Sequence, residues 1–204
     1  GYSGPKGYGL ISKQLFMPKK WFSEEYAKLR KACLVPEDLT FKTKPQIALD
    51  LIREIEQSDL FKAKWIGMDS LYGNSREFLD AISDKYWYFA DIHNNTQVWR
   101  TQPIFEVPEY KGRGPRPKRK VATTPSESVS KIAEDDTIPW REMYLGEGSK
   151  GPIYAEVKAL RIYRAFSEED GVIPIRSCWL FIRRSEDGET RYSVSNAPED
   201  ISLN

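Results

Sequence analysis

The chain has 204 residues, 40% of them apolar and 13% aromatic with six Trp, enough to build a core and too much for a disordered segment. A formal charge of +1 excludes a polycation, so any nucleic-acid footprint must come from local clustering. Cys33 and Cys178 are far apart, which reads as two reduced thiols in a cytoplasmic protein, and no apolar run approaches the roughly 20 residues of a membrane span. The opening "GYSGPKGYG" has no initiator Met and is expected to be a cut inside a longer protein.

In chain order, "GLISKQLFMPKKWF" predicts a strand ending at Pro18, and "SEEYAKLRKACL" a short helix with Ser23 as N-cap. "TFKTKPQIALDLIREIEQS" holds the clearest helix: Pro45 suits its first turn, and Ile47, Ala48, Leu51, Ile52 and Ile55 form one apolar stripe. "AKWIGM" is apolar on both faces and predicts a central strand of a covered sheet. After Asp69 and "SLYG", "NSREFLDAIS" predicts a helix with Asn74 and Glu77 as capping box and Phe78, Leu79 and Ile82 facing inward. "YWYFADI" is a second buried strand, and the right-handed crossover rule makes it parallel to the first.

Past His93 the texture changes. "KGRGPRPKRK", Lys111 to Lys120, has six basic residues, no acid, two Pro and two Gly, and predicts an extended loop or linker. "TTPSESVSKIAEDDT" reads as polar and loosely held. "IYAEVKALRIYRAF" alternates with a phase slip near Ala159–Leu160 that predicts a bulge, and Asp187–Gly188 between "CWLFIRR" and "TRYSVSN" predicts a hairpin turn. The expected fold class is α/β: two parallel strands in a sheet flanked by helices, with the Ile153–Val194 strands in a separate antiparallel layer.

Asp69 stands where the apolar run "KWIGM" stops and a Gly-bearing turn begins. In open α/β sheets ligands sit outside the carboxyl ends of the strands, where a carboxylate is suited to a hard cation such as Mg²⁺. A lone Asp after a strand is more often a turn residue or a helix cap, and the residues by themselves leave both readings open.

"SKQLFMPKKWF", "VPEDLTFKTKPQIALDLI", "KWIGMDSLYGNSREFLDAI", "GSKGPI" and "RYSVSNAPED" occur in an order that resembles insertion-sequence transposases of the DDE superfamily, in the branch with a β-rich insertion inside an RNase H-like domain. The resemblance implies a partial RNase H-like mixed sheet, with residues 1–105 as the core portion and 106–204 as a basic linker plus the β-rich insertion region. It makes Asp69 the second catalytic Asp and a ligand of Mg²⁺ or Mn²⁺. It places the first Asp upstream of this chain and the catalytic Glu downstream, so the isolated chain is expected to be inactive. The implied parent is bacterial, a candidate homodimer that nicks DNA at transposon ends and joins the freed 3′-hydroxyl to target DNA. Two rival readings are a non-catalytic DNA- or protein-binding module of the same fold and an RNase H-like nuclease that does not transpose.

The remaining candidates concern double-stranded DNA. Arg113, Arg116, Lys118, Arg119 and Lys120 are candidates for neutralising phosphates, with affinity largely independent of sequence, against the role of a solvated loop. Tyr72 and Arg76 follow Asp69 closely and are candidates for reaching a phosphate beside the Asn74 helix start, against turn packing for Tyr72 and a surface charge for Arg76. Trp140 in "IPWREMY" is a candidate for stacking on an unpaired base, against a core role, and Lys150 in "GSKGP" for phosphate, against a turn role. His93, the single His, has no Cys near enough for a zinc site and reads as structural. Neither Cys has a sequence partner for nucleophilic catalysis.

Overall fold

The computed structural model describes residues 1–4, 6–149, 151–165 and 175–201, and the chain divides into two units, Gly1–Ala63 and Lys64–Asn204. The first unit opens on two short antiparallel strands, β1 (Tyr2–Gly4) and β2 (Gly7–Gly9). Residues 10–18 form no strand, contrary to the sequence pattern. Leu10 and Leu15 stay exposed, and no neighbouring edge among the described residues offers the hydrogen bonds that hold a strand. A 3₁₀ turn at Glu24–Tyr26 leads into α1 (Ala27–Ala32), so the predicted short helix is present with a tighter start. The Ser23 hydroxyl donates to Lys20 O and caps nothing.

The long helix α2 (Lys44–Ser58) begins as its residues dictate. Thr43 Oγ1 accepts from Gln46 N (3.4 Å), Gln46 Oε1 accepts from Thr43 N (2.9 Å), and Pro45 occupies the first turn. It ends at Asp59, whose left-handed backbone (φ 54°) stops the helical ladder.

The second unit holds the sheet. Its strand β3 (Trp65–Met68) runs into α3 (Ser70–Gly73) and α4 (Arg76–Ser83), then β4 (Trp87–Ile92), which is parallel to β3 as expected. Next come β5 (Gln97–Val98), β6 (Phe105–Glu106), β7 (Val121–Ala122), β8 (Glu127–Ser128) and α5 (Val129–Ala133). The chain closes with β9 (Arg141–Gly148), β10 (Gly151–Ala165), β11 (Ile175–Ser185) and β12 (Thr190–Ser195). The main sheet has the order β3-β4-β12-β11-β10-β9.

This order corrects the expected separate layer. β12 pairs antiparallel with β4 through Tyr192↔Ile92, Ser193↔Asp91 and Val194↔Ala90, so the antiparallel strands continue the parallel pair in one sheet. The order also makes β3 the terminal strand of this sheet and not a central one, with Trp65 41% exposed. Apolar residues on both faces describe what a strand can bury; its place depends on which edges are paired.

One face of the sheet carries the core. Tyr88, Ala90, Ile92, Cys178, Leu180, Ile182, Ile162 and Val194 are buried there, and Phe78, Leu79 and Ile82 of α4 are buried as the helical period predicts. Burial pushes the Cys178 thiol up to about 11, which agrees with an inert core cysteine. The segment read as loosely held instead contributes to this core, because Val129 and Ile132 of α5 are fully buried. The bulge lies between Ile153 and Tyr154, and pairing is continuous through Ala159 and Leu160. The apparent phase slip is a change of buried face, with Ala155 and Val157 buried on one side of β10 and Lys158 and Ile162 on the other; Lys158, 1% exposed, donates to Ala133 O and Asp135 O, both at 2.8 Å. Gly188 takes φ +84° in the predicted hairpin turn.

Asn196 locks the end of β12 onto β4. Its Oδ1 accepts from Tyr88 N (2.8 Å), and its Nδ2 donates to Tyr86 O (3.0 Å) and Ser83 O (3.4 Å). Asn196→Ala leaves these backbone groups without their partner and should cost about 1–3 kcal/mol. A denaturant midpoint equal to that of the unaltered chain would show that the lock contributes nothing.

Candidate functional site

Asp69 emerges at the carboxyl end of β3 with extended backbone (φ −79°, ψ 177°) and an exposed side chain. Its Oδ1 accepts from Leu71 N at 3.0 Å, so it caps α3. The cap engages Oδ1, and the residue as a whole is exposed. A cap and a ligand to a cation at the strand end are therefore compatible roles for this side chain.

Gly73 explains how α3 is held. A Cβ at this position would lie 2.0 Å from Asp91 O and 3.2 Å from Ala90 Cβ. The helix thus lies directly on the backbone of β4, closer than any side chain allows. The "SLYG" segment is a positioning device for the residue before it.

The same register brings up an acid that the sequence pattern alone did not single out. Met68 pairs with Ala90, and Asp69 and Asp91 are the residues that follow them. Asp91 interrupts an apolar run as Asp69 ends one, and that is its one signal in the sequence. Asp91 Oδ1 accepts from the Ser193 hydroxyl at 2.7 Å, which ties the acid to β12. Among the described residues no group of three or more His, Cys, Asp or Glu is arranged to hold a metal ion. An exposed carboxylate at this strand end fits one coordination position of a hard divalent cation.

The structure places the other candidates individually. The expected Asn74–Glu77 box is not formed: Asn74 ends α3 with its Nδ2 donating to Ser70 O (2.6 Å), and Ser75 precedes α4. Tyr72 is half-buried with its ring 5.2 Å from that of Phe78. Arg76 pairs with Asp80 (3.2 Å), one helical turn on. The Trp140 ring carries two cations, Lys158 Nζ at 4.6 Å and the Arg184 guanidinium at 4.1 Å from its centroid. Lys150 lies outside the described residues. His93 is exposed in a turn, where its carbonyl accepts from Thr96 N.

The basic run is the end of an arm and not a free linker. β6 and β7 pair antiparallel (Phe105↔Ala122, Glu106↔Val121), and residues 107–119 between them are exposed. At the arm's root Trp99 Nε1 donates to Thr124 O (2.9 Å), its ring meets Phe105 edge-on (5.8 Å), and its backbone pairs with Tyr163 of β10. Arg113, Arg116, Lys118 and Arg119 are thus carried on a stem anchored to the sheet, with Lys120 half-buried where the stem begins.

A family model described as "DDE superfamily endonuclease" matches residues 9–152, well over half of the chain. The chain belongs to the DDE superfamily endonucleases. Comparison with curated proteins and with solved structures gave no match. The family match includes β3, Asp69, α4, β4, Asp91 and the whole arm, and it stops at the start of β10. DDE superfamily enzymes generally use divalent metals, and the family implies DNA as substrate. No helix among the described residues is long and apolar enough to cross a membrane.

Proposed function

We propose that this DDE-family chain is the part of a transposase that carries the second catalytic carboxylate, Asp69, and that the intact protein cuts and joins DNA at transposon ends by divalent-metal-dependent phosphoryl transfer. The observation that carries the reading is the exposed Asp69 at the carboxyl end of a strand paired in parallel with its neighbour. In this reading residues 1–105 are the RNase H-like core portion, and residues 106–204 are the basic arm plus the β-rich insertion region, with β12 returning to the core sheet.

Asp69 would supply one oxygen to Mg²⁺ or Mn²⁺, and Asp91, which follows Ala90 where Asp69 follows Met68, would add to the negative charge at that end of the sheet. When bound, such an ion stabilises charge on the transferring phosphoryl group and on the attacking oxygen. α3 holds Asp69 at the strand end through its cap and through the close approach at Gly73. Arg113, Arg116, Lys118, Arg119 and Lys120 would hold DNA phosphates, and Lys150, Tyr72, Arg76 and Trp140 would add to binding only where DNA approaches them.

The test is incubation of the intact protein with a plasmid bearing transposon ends and Mg²⁺ or Mn²⁺. Cut ends joined to target DNA are the expected products. Cutting without joining would identify a nuclease instead, and binding without cutting a non-catalytic module. For the 204-residue chain alone we expect binding without strand transfer, because Asp69 and Asp91 do not by themselves make a group of three ligands.

Binding by the arm should be electrostatic. Replacing Lys118 and Arg119 with Ala should lower the slope of log affinity against log salt by about 0.9 for each phosphate that is no longer neutralised. Titration of duplex DNA at several salt concentrations checks this, and an unchanged slope would return these residues to the status of solvated charges.

A further inference from the structure

We infer that the tip of the β6–β7 arm is a minor-groove-binding element that prefers A·T-rich duplex DNA. The inference rests on the reading of this chain as a DNA-binding member of its family and adds a preference that simple phosphate neutralisation does not.

From Lys111 to Lys120 every side chain that can hydrogen-bond is a Lys or an Arg, and both are donors without an acceptor. The floor of an A·T minor groove offers only acceptors, adenine N3 and thymine O2, while G·C adds the guanine N2 amine, a donor. A donor-only set matches the first and is opposed by the second. In the major groove an Arg can also read guanine, through O6 and N7, so the two grooves predict opposite preferences for this donor-only run, A·T for the minor and G·C for the major.

Gly112 and Gly114 flank Arg113, and Pro115 and Pro117 flank Arg116, so each Arg stands between residues of small profile. Gly112 and Gly114 take φ +78° and +83°, and a Cβ built on either meets nothing within 4 Å. The backbone at these points is narrow and open on its outer side. The minor groove is about 6 Å wide and narrows further in A-tracts, where its potential draws in Arg.

Tyr110 Oη donates to Gly114 O at 3.2 Å, and the Arg116 guanidinium lies 5.4 Å from the centre of the Tyr110 ring. These interactions close the tip on itself, and the stem roots it on Trp99 and β10. A preformed tip loses less conformational entropy on binding than a free basic tail.

The experiment uses the 204-residue chain and three short duplexes of equal length: A·T, G·C and I·C. The I·C duplex has the major groove of G·C and lacks the N2 amine of the minor groove. The inference expects A·T and I·C to bind about tenfold more tightly than G·C at the same salt. Changing Arg113 and Arg116 to Lys should erase that ratio while keeping the salt slope, because the charge is retained and the guanidinium suited to the narrow groove is gone. Tyr110→Ala, which opens the tip, should reduce the ratio in the same sense. Equal binding of all three duplexes would overturn the inference and leave the DNA-binding reading intact. Discrimination of I·C together with G·C from A·T would place recognition in the major groove and also overturn it. Failure to bind any duplex would overturn the DNA-binding reading itself and the inference with it.

Discussion

Asp69→Asn in the intact protein should abolish DNA cleavage, by at least about 10²–10³-fold, while leaving DNA binding and thermal stability near those of the unaltered enzyme. The expected loss is on the scale seen when one preorganised charge-stabilising group is removed from an active site. The substitution is informative because it separates the cap that Asp69 makes from the metal ligation proposed for it. An Asn side-chain oxygen can still accept from Leu71 N, so the cap of α3 at 3.0 Å survives. What disappears is the negative charge. Asp69→Ala removes both, and should add a stability loss of about 1 kcal/mol from the missing cap. If Asp69 were only a cap, the Asn protein would cleave like the original and the Ala protein would be the damaged one. Cleavage by the Asn protein at the original rate would refute Asp69 as a metal ligand.

Gly73→Ala should destabilise the chain by about 1–3 kcal/mol, the usual cost of forcing extra atoms into a closed interface. Helix propensity alone argues the other way, since Ala is the better helix former by about 1 kcal/mol. The added Cβ, however, would meet Asp91 O at 2.0 Å, and that oxygen belongs to the backbone of β4 and cannot rotate aside. Either α3 lifts from β4 or β4 shifts, and both moves displace the end of β3 that presents Asp69. In the intact protein the variant should therefore lose cleavage even under conditions where it remains folded. Urea unfolding of the chain measures the first effect. A Gly73→Ala chain as stable as the original, or more so, would show that the close approach of α3 to β4 is not required.

The local elements are legible wherever a few neighbouring residues settle the outcome. Thr43, Pro45 and Gln46 specify the start of α2, and Phe78, Leu79 and Ile82 mark the inward face of α4. The parallel relation of β3 and β4 follows from chain chirality once a helix lies between them. Asp187–Gly188 is readable as a turn because Gly188 needs a left-handed backbone. The five-residue α5 is not readable: so short a helix does not hold by propensity, and its stability comes from burying Val129 and Ile132. Lys158 misleads the strand reading for a related reason, since a lysine at a core position makes sense only when the carbonyls of Ala133 and Asp135 are in place to receive it.

The sequence by itself determined the short-range matters: which of the longer segments are helices, where β3 ends, that a carboxylate stands at that end, and that ten residues with six positive charges form no regular element. Only the tertiary structure decided that the strands join in one sheet, that β3 is its terminal strand, that Asp91 follows Asp69 across the register, and that the basic run is the tip of an anchored arm. Each of these depends on pairing between distant segments, as when Val194 of β12 meets Ala90 of β4. The alternation of a strand specifies the face it buries. The edge it pairs with is chosen by hydrogen-bond partners and packing that do not exist until the rest of the sheet is assembled.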